Sequence, residues 1–233
     1  MDSRDSVSER VLFGMLITMA GGLMDAYSYL ARGQVFATGQ TGNFVLLAIG
    51  AANLDQNQVF HYFSPIASFW MGVIFSKYLF HSKFNEHKIH WRRGILYIEI
   101  ILFILIGFIP KTIPDIIVNS MISFCAALQF CSFRTFGGKT NYASVFCTGN
   151  MRSCAEALYL GIVHQKKEEL QKGIRYFALL IAFFIGVLVG AVGNCYFGSY
   201  AAIIISITLL VALIIMKLDP ALENEAQKSI GSQ

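Results

Sequence analysis

Charge is what this sequence has least of. Among 233 residues, 14% are Asp, Glu, Lys or Arg, where a soluble domain carries about 25%, so an ordinary soluble globular protein is excluded. Proline is scarce too, with four residues, which leaves room for long helices. Enzyme signatures are missing. No Gly-x-x-x-x-Gly-Lys phosphate loop occurs, which argues against ATP-driven pumping by this chain alone. No His-Glu-x-x-His or Gly-x-Ser-x-Gly phrase occurs, and Cys147 and His164 lack a third group to orient them. The expectation is a non-enzyme with no cofactor. The five cysteines (Cys125, Cys131, Cys147, Cys154, Cys195) show no paired zinc spacing and lie within or beside apolar stretches. They read as small packing residues, and no metal site is expected. The net charge of +4 is no nucleic-acid footprint, because the basic residues sit in loops beside apolar segments.

What the chain has in excess is apolar length. It is 55% hydrophobic with a mean hydropathy of +0.57. Several stretches approach or exceed the roughly 18 apolar residues that cross a bilayer. The chain reads as an integral membrane protein, all-α, a polytopic helix bundle. Six stretches read as full crossings: 11–30, 60–80, 94–110, 115–134, 174–195 and 199–216. Two more, 35–53 and 143–162, are apolar but interrupted by one phrase used twice, Thr41-Gly42-Asn43 and Thr148-Gly149-Asn150. The first apolar run is too long for a signal-peptide core and lacks a cleavage site, so no leader is expected.

Loop charge arbitrates between crossing and dipping back. If both interrupted segments re-enter and return, every Lys and Arg except Arg32 and Lys111 lies on the cytoplasmic side or at a span end on that side. If both cross, either the loop with Lys83, Lys88, Arg92 and Arg93 or the loop with Lys166, Lys167, Lys172 and Arg175 is exported. The expectation is therefore six spans, two re-entrant segments and both termini in the cytoplasm. The loop from His81 to Lys88, with His90 beyond, reads as a solvated segment that sets orientation rather than as a metal site. A flexible cytoplasmic tail is expected over 218–233.

The repeat extends beyond the tripeptide. Tyr62-Phe63, Phe69 and Gly72-Val73 recur at identical spacing as Tyr176-Phe177, Phe183 and Gly186-Val187. Asp25-x-x-Ser28-Tyr29 aligns with Gln129-x-x-Ser132-Phe133. Residues 1–110 and 111–217 then form two repeats within one membrane domain. Each holds an odd number of crossings, so the second is inverted, an architecture common in transporters, with a site near the midplane.

The run Gly21-Gly22-Leu23-Met24-Asp25-Ala26-Tyr27-Ser28-Tyr29, then Gly33-x-Val35-Phe36 and Gln40-Thr41-Gly42-Asn43, resembles the signature of the YoaK-like bacterial membrane proteins. Ala127-Leu128-Gln129 and Thr148-Gly149-Asn150 carry the weaker second half. That family has a domain of unknown function. The resemblance implies an inner-membrane, transporter-like protein and supplies no catalytic residues. Where the family's second half tends to read Gly-x-Gln-Asn, this chain has Ala127, Gln129 and Phe130.

Asp25 lies inside a crossing, where a carboxylate is costly and a functional role is the default. It shares a small, polar stripe with Gly14, Thr18, Gly21, Gly22 and Ser28. It either binds a proton or solute, or accepts hydrogen bonds from a broken segment as scaffold. Glu99 either snorkels or pairs with Arg134, or couples protons. Gln129 is the counterpart of Asp25, with cross-helix bonding or ligand contact open to it. In the broken segments Thr41 or Asn43, and Thr148 or Asn150, are candidate N-caps. Gly42 and Gly149 permit a turn or a close approach. Two short helices starting near mid-membrane would aim their N-termini at one spot that favours an anion or an electronegative oxygen, with Gln40 and Thr38 adding contacts. The small-residue faces Ala182, Gly186, Gly190, Gly193 and Ser68, Gly72, Ser76 suit helix packing, with a homodimer contact as the lesser alternative.

These residues point to a secondary transporter of a small polar or anionic solute, with proton coupling through Asp25 or Glu99 open. A channel with a fixed central filter and a non-catalytic membrane partner subunit are the rivals. Apart from lipid and the solute, no partner is implied.

Overall fold

The computed structural model describes residues 3–81, 91–133, 135–136, 140–141 and 147–218. Eight helices fill them: α1 (Ser3–Ala31), α2 (Gln40–Ala52), α3 (Gln56–His81), α4 (Trp91–Phe108), α5 (Asp115–Ser132), α6 (Cys147–Val163), α7 (Lys167–Phe197) and α8 (Ala202–Leu218). Between α5 and α6 a two-residue ribbon pairs β1 (Thr135–Phe136) with β2 (Thr140–Asn141), and a 3-10 turn, Gly198–Ala201, joins α7 to α8. Four stretches are long and apolar enough to cross a membrane: 11–31, 56–79, 115–132 and 167–218, the last spanning α7 and α8 together. The first turn of α4 carries Arg92 and Arg93, and Glu99 follows within the helix. The loop residues 82–90, Arg134 and the tail from 219 lie outside the described residues, so the orientation-setting loop, the flexible tail and an Arg134 pair with Glu99 lie there as well.

Both interrupted segments are single short helices. At 1.5 Å per residue α2 is ~20 Å long and α6 ~25 Å, both under the ~30 Å hydrocarbon thickness. The Thr-Gly-Asn phrase lies inside the first turn of each helix, not ahead of it. This corrects the expectation that Thr41 or Asn43 caps α2, since the N-cap is Gly39 and no side chain caps it. The physical reason is that α1 supplies the acceptor for the turn before the helix. Thr148 and Asn150 are likewise helical. Gly42 and Gly149 take no left-handed conformation and continue the helix, which corrects the turn reading of both.

α2 and α3 form a hairpin, and so do α6 and α7, each with a three-residue turn, 53–55 and 164–166. The middle residue of each turn is left-handed, Leu54 at φ 56° and Gln165 at φ 54°. The Asn53 N–H returns to the Ile49 carbonyl at 3.0 Å, and the His164 N–H to the Leu160 carbonyl at 3.2 Å. Past the turn, the Asp55 and Lys166 carbonyls accept from Val59 and Leu170, each at 3.0 Å. Three residues before each turn stands a glycine, Gly50 or Gly161. A methyl group on Gly161 would come within 2.6 Å of the Leu170 backbone, and one on Gly50 within 3.0 Å of the Gln58 side chain.

The hairpins are clamped across the molecule. α7 lies along α1, and α3 along α5; α8 packs on α4 and α1. In both long crossings the contact is at glycine. A Cβ on Gly186 would strike the Met19 carbonyl of α1, and one on Gly22 the Phe183 carbonyl of α7. A Cβ on Gly72 would stand 2.7 Å from the Phe124 carbonyl of α5. Ala182, Gly190 and Gly193 are buried with Gly186, and Ser76 with Gly72, so these small faces are used within the chain. The large apolar side chains of α3 and α7 point outward instead, among them Phe63, Trp70, Ile74, Phe177, Phe184 and Leu188. This is the distribution expected where the solvent is lipid.

Gly186→Val and Gly72→Val should each lower stability by at least about 2 kcal/mol, because the added atoms meet backbone that cannot move aside. Gly94→Ala, where a methyl group meets nothing within 4 Å, should leave the midpoint of thermal unfolding in detergent unchanged.

Candidate functional site

The site is built where α1 ends and the chain turns into α2. Asp25 projects from α1 onto that turn. Its carboxylate accepts the Thr38 backbone N–H at 2.9 Å and the Thr38 hydroxyl at 2.6 Å. Ser28, one turn on, accepts the Ala37 N–H at 3.3 Å. Two residues of the α1 stripe thus satisfy the backbone of the break, which apolar surroundings require. Thr38 is fully buried, while Asp25 is half-buried. The scaffold role that the sequence left open for Asp25 is therefore real.

The first turn of α2 folds back on the same loop. Asn43, fully buried, donates its amide to the Phe36 carbonyl at 2.8 Å and to Gln40 Oε1 at 3.1 Å. Gln40 donates to the Ala37 carbonyl at 2.8 Å and reaches Ser123 of α5 at 3.5 Å. Ser123 also donates to the Ala37 carbonyl, at 2.9 Å. Asn43 Oδ1 receives no hydrogen bond. Thr41 faces outward and is exposed.

The second copy repeats the sidedness. Asn150 is buried, and Thr148 and Gly149 are exposed. In both phrases the Asn faces in and the Thr faces out. All the described cysteines are free; Cys154 donates to the Gly173 carbonyl at 3.4 Å across the α6–α7 hairpin. No group of three or more His, Cys, Asp or Glu occurs that could hold a metal ion among the described residues.

Two sequence candidates stand apart. Gln129 of α5 donates to the Ile17 carbonyl of α1 at 2.7 Å, eight residues or ~12 Å down α1 from Asp25. Glu99 is fully buried, and neither carboxyl oxygen has a hydrogen-bond partner among the described residues. Its depth overturns snorkelling, because a side chain wholly inside the bundle reaches no interface.

Sequence reasoning missed Arg32, among the largest fully buried side chains. It donates to the Ile109 carbonyl at 2.6 Å and to the Tyr27 hydroxyl at 3.2 Å, and lies 3.6 Å from Asp115. Asn119 donates to the Arg32 carbonyl at 2.6 Å. This cluster fixes the end of α1 against α4 and α5. Its signal was the isolation of Arg32 as a cation away from the other basic residues.

The model of a family described as "Protein of unknown function (DUF1275)" matches residues 13–216. The chain is also 25% identical over 187 residues to the "UPF0700 transmembrane protein YoaK" of Bacillus subtilis (strain 168), covering 77% of this chain and 81% of that protein. No solved structure matches. The family match covers most of the sequence, and the chain belongs to that family.

Thr38→Ala removes the hydroxyl donor to Asp25 and should cost about 1.5–3 kcal/mol, read as a lower unfolding midpoint, with Thr38→Ser restoring most of it. Gly149→Ala places a methyl group where nothing lies within 4 Å. It should be neutral or stabilise by up to about 1 kcal/mol through helix propensity.

Proposed function

We propose that this member of the family is a multi-pass protein of the bacterial cytoplasmic membrane, acting as a small secondary transporter of a polar solute. Both termini lie in the cytoplasm, and two inverted repeats of span, half-length helix, span, span enclose the site. The paired packing supports this reading. α1 with α7 in one direction is answered by α5 with α3 in the other, and the α2–α3 hairpin by α6–α7. The observation that carries the function is the duplicated asparagine. Asn43 and Asn150 are each buried in the first turn of a helix too short to cross, and the half-buried Asp25 of α1 holds the turn before the first of them. Irregular backbone and polar groups at such depth are tolerated where they are buried in protein or line a passage.

In this scheme Gln40, Asn43 and Asn150 contact the solute, Asp25 sets the charge, and Gln129 and Glu99 act away from the immediate contact. Glu99 is the candidate proton site, since its carboxyl has no partner to hold a charge. The small-residue faces named for a dimer are consumed by α1, α5 and α8, so they lend a homodimer no support.

Uptake by liposomes containing the purified chain should saturate with solute concentration. Asn43→Ala and Asn150→Ala should each reduce it at least about tenfold, the effect of losing one buried polar contact, while far-UV circular dichroism stays unchanged. Uptake untouched by both substitutions would remove the site from transport. Conductance that never saturates would mark a channel instead.

A further inference from the structure

We infer that the site at the start of α2 takes a cation carrying N–H donors, an ammonium-type solute, and rejects anions. The inference rests on the transport reading above for its setting and narrows the solute class. A helix N-terminus attracts negative charge, but here the attraction is already used. The Asp25 carboxylate occupies the turn before α2, holding the Thr38 N–H and hydroxyl. An arriving anion would meet a resident carboxylate at close range.

Asp25 makes no ion pair among the described residues; Arg32 faces Asp115, Arg152 pairs with Glu156, and Lys172 with Glu169. Its contacts are neutral donors. The second observation is Asn43 Oδ1, which is fully buried and receives no hydrogen bond. The amide cannot be turned round to remedy this. Its Nδ2 already donates to two acceptors, the Phe36 carbonyl and Gln40 Oε1, and neither could donate to an oxygen put in its place. Nearby, the Ala37 carbonyl is filled by Gln40 and Ser123. What the turn offers is therefore one uncompensated negative charge and one unused acceptor. Asp25 is half-buried and Asn43 is fully buried. A divalent metal ion demands six or more oxygen ligands or a shell of retained water, and the described residues gather no such acidic cluster. An ammonium group needs two or three acceptors, which this turn supplies.

The test is thermal unfolding of the full chain in detergent, with methylammonium chloride, sodium chloride and sodium formate compared at equal ionic strength. Methylammonium should raise the midpoint by about 3–6 °C over sodium chloride, and formate should not. The rise should vanish in Asn43→Ala and in Asp25→Asn, which keeps one acceptor oxygen for Thr38. If Asp25→Asn does not fold, the wild-type comparison and Asn43→Ala decide. A rise with formate alone, equal midpoints for sodium and methylammonium, or a methylammonium rise that survives Asn43→Ala each overturn the inference. Failure of the transport reading looks different, because methylammonium would still stabilise the protein while uptake ignored Asn43 and Asn150.

Discussion

The architecture depends on helices touching backbone to backbone at glycine. In lipid no hydrophobic force draws one apolar helix to another, so association comes from close packing and from polar contacts. Gly22 and Gly186 make this contact reciprocal, since each presses its bare Cα against a carbonyl of the other helix, at Phe183 and at Met19. Gly72 does the same against Phe124 and Ala127. Both crossings join an early helix to a late one, so neither half of the chain completes its packing alone. The hairpins α2–α3 and α6–α7 are thereby carried to the centre by their long members. The short helices need no strong grip of their own.

Breaking a helix in a nonpolar setting exposes N–H and C=O groups that must be answered within the protein. At the first break the answer comes from three directions. Asp25 and Ser28 reach across from α1, Ser123 from α5, and Asn43 and Gln40 from the new helix itself. The turn is consequently as well determined as a helix, although it has no repeating structure. The same bonds leave the acceptor side of the amide unused.

Much of this was legible in the residues. The apolar runs located the long helices, and the repeated Tyr-Phe, Phe and Gly-Val spacing singled out Gly72 and Gly186 as equivalents before their contacts were visible. Asp25 was conspicuous because carboxylates are rare in such surroundings. The helix starts were not legible. Thr and Asn are strong N-cap residues, and local preference placed the boundary at them, but Asp25 lies 13 positions before Thr38 and supplied the acceptor from another helix. The matched left-handed residues escaped notice because Leu54 and Gln165 share no chemistry, only a backbone angle imposed by a three-residue connection. Arg32 escaped because its partners, Ile109, Asp115 and Asn119, are far away in the chain.

The two halves differ where charge is at stake. In the sequence alignment of the two halves, Asp25 stands opposite Gln129. An amide keeps the length and the acceptor oxygen without the charge. It also gains a donor, which Gln129 spends on the Ile17 carbonyl of α1 at 2.7 Å, a bond an ionised carboxylate cannot make. Asp25 therefore keeps a charge with no ion-pair partner among the described residues, and Gln129 ties α5 to the helix that carries that charge. A symmetric pair of acids would have lost both.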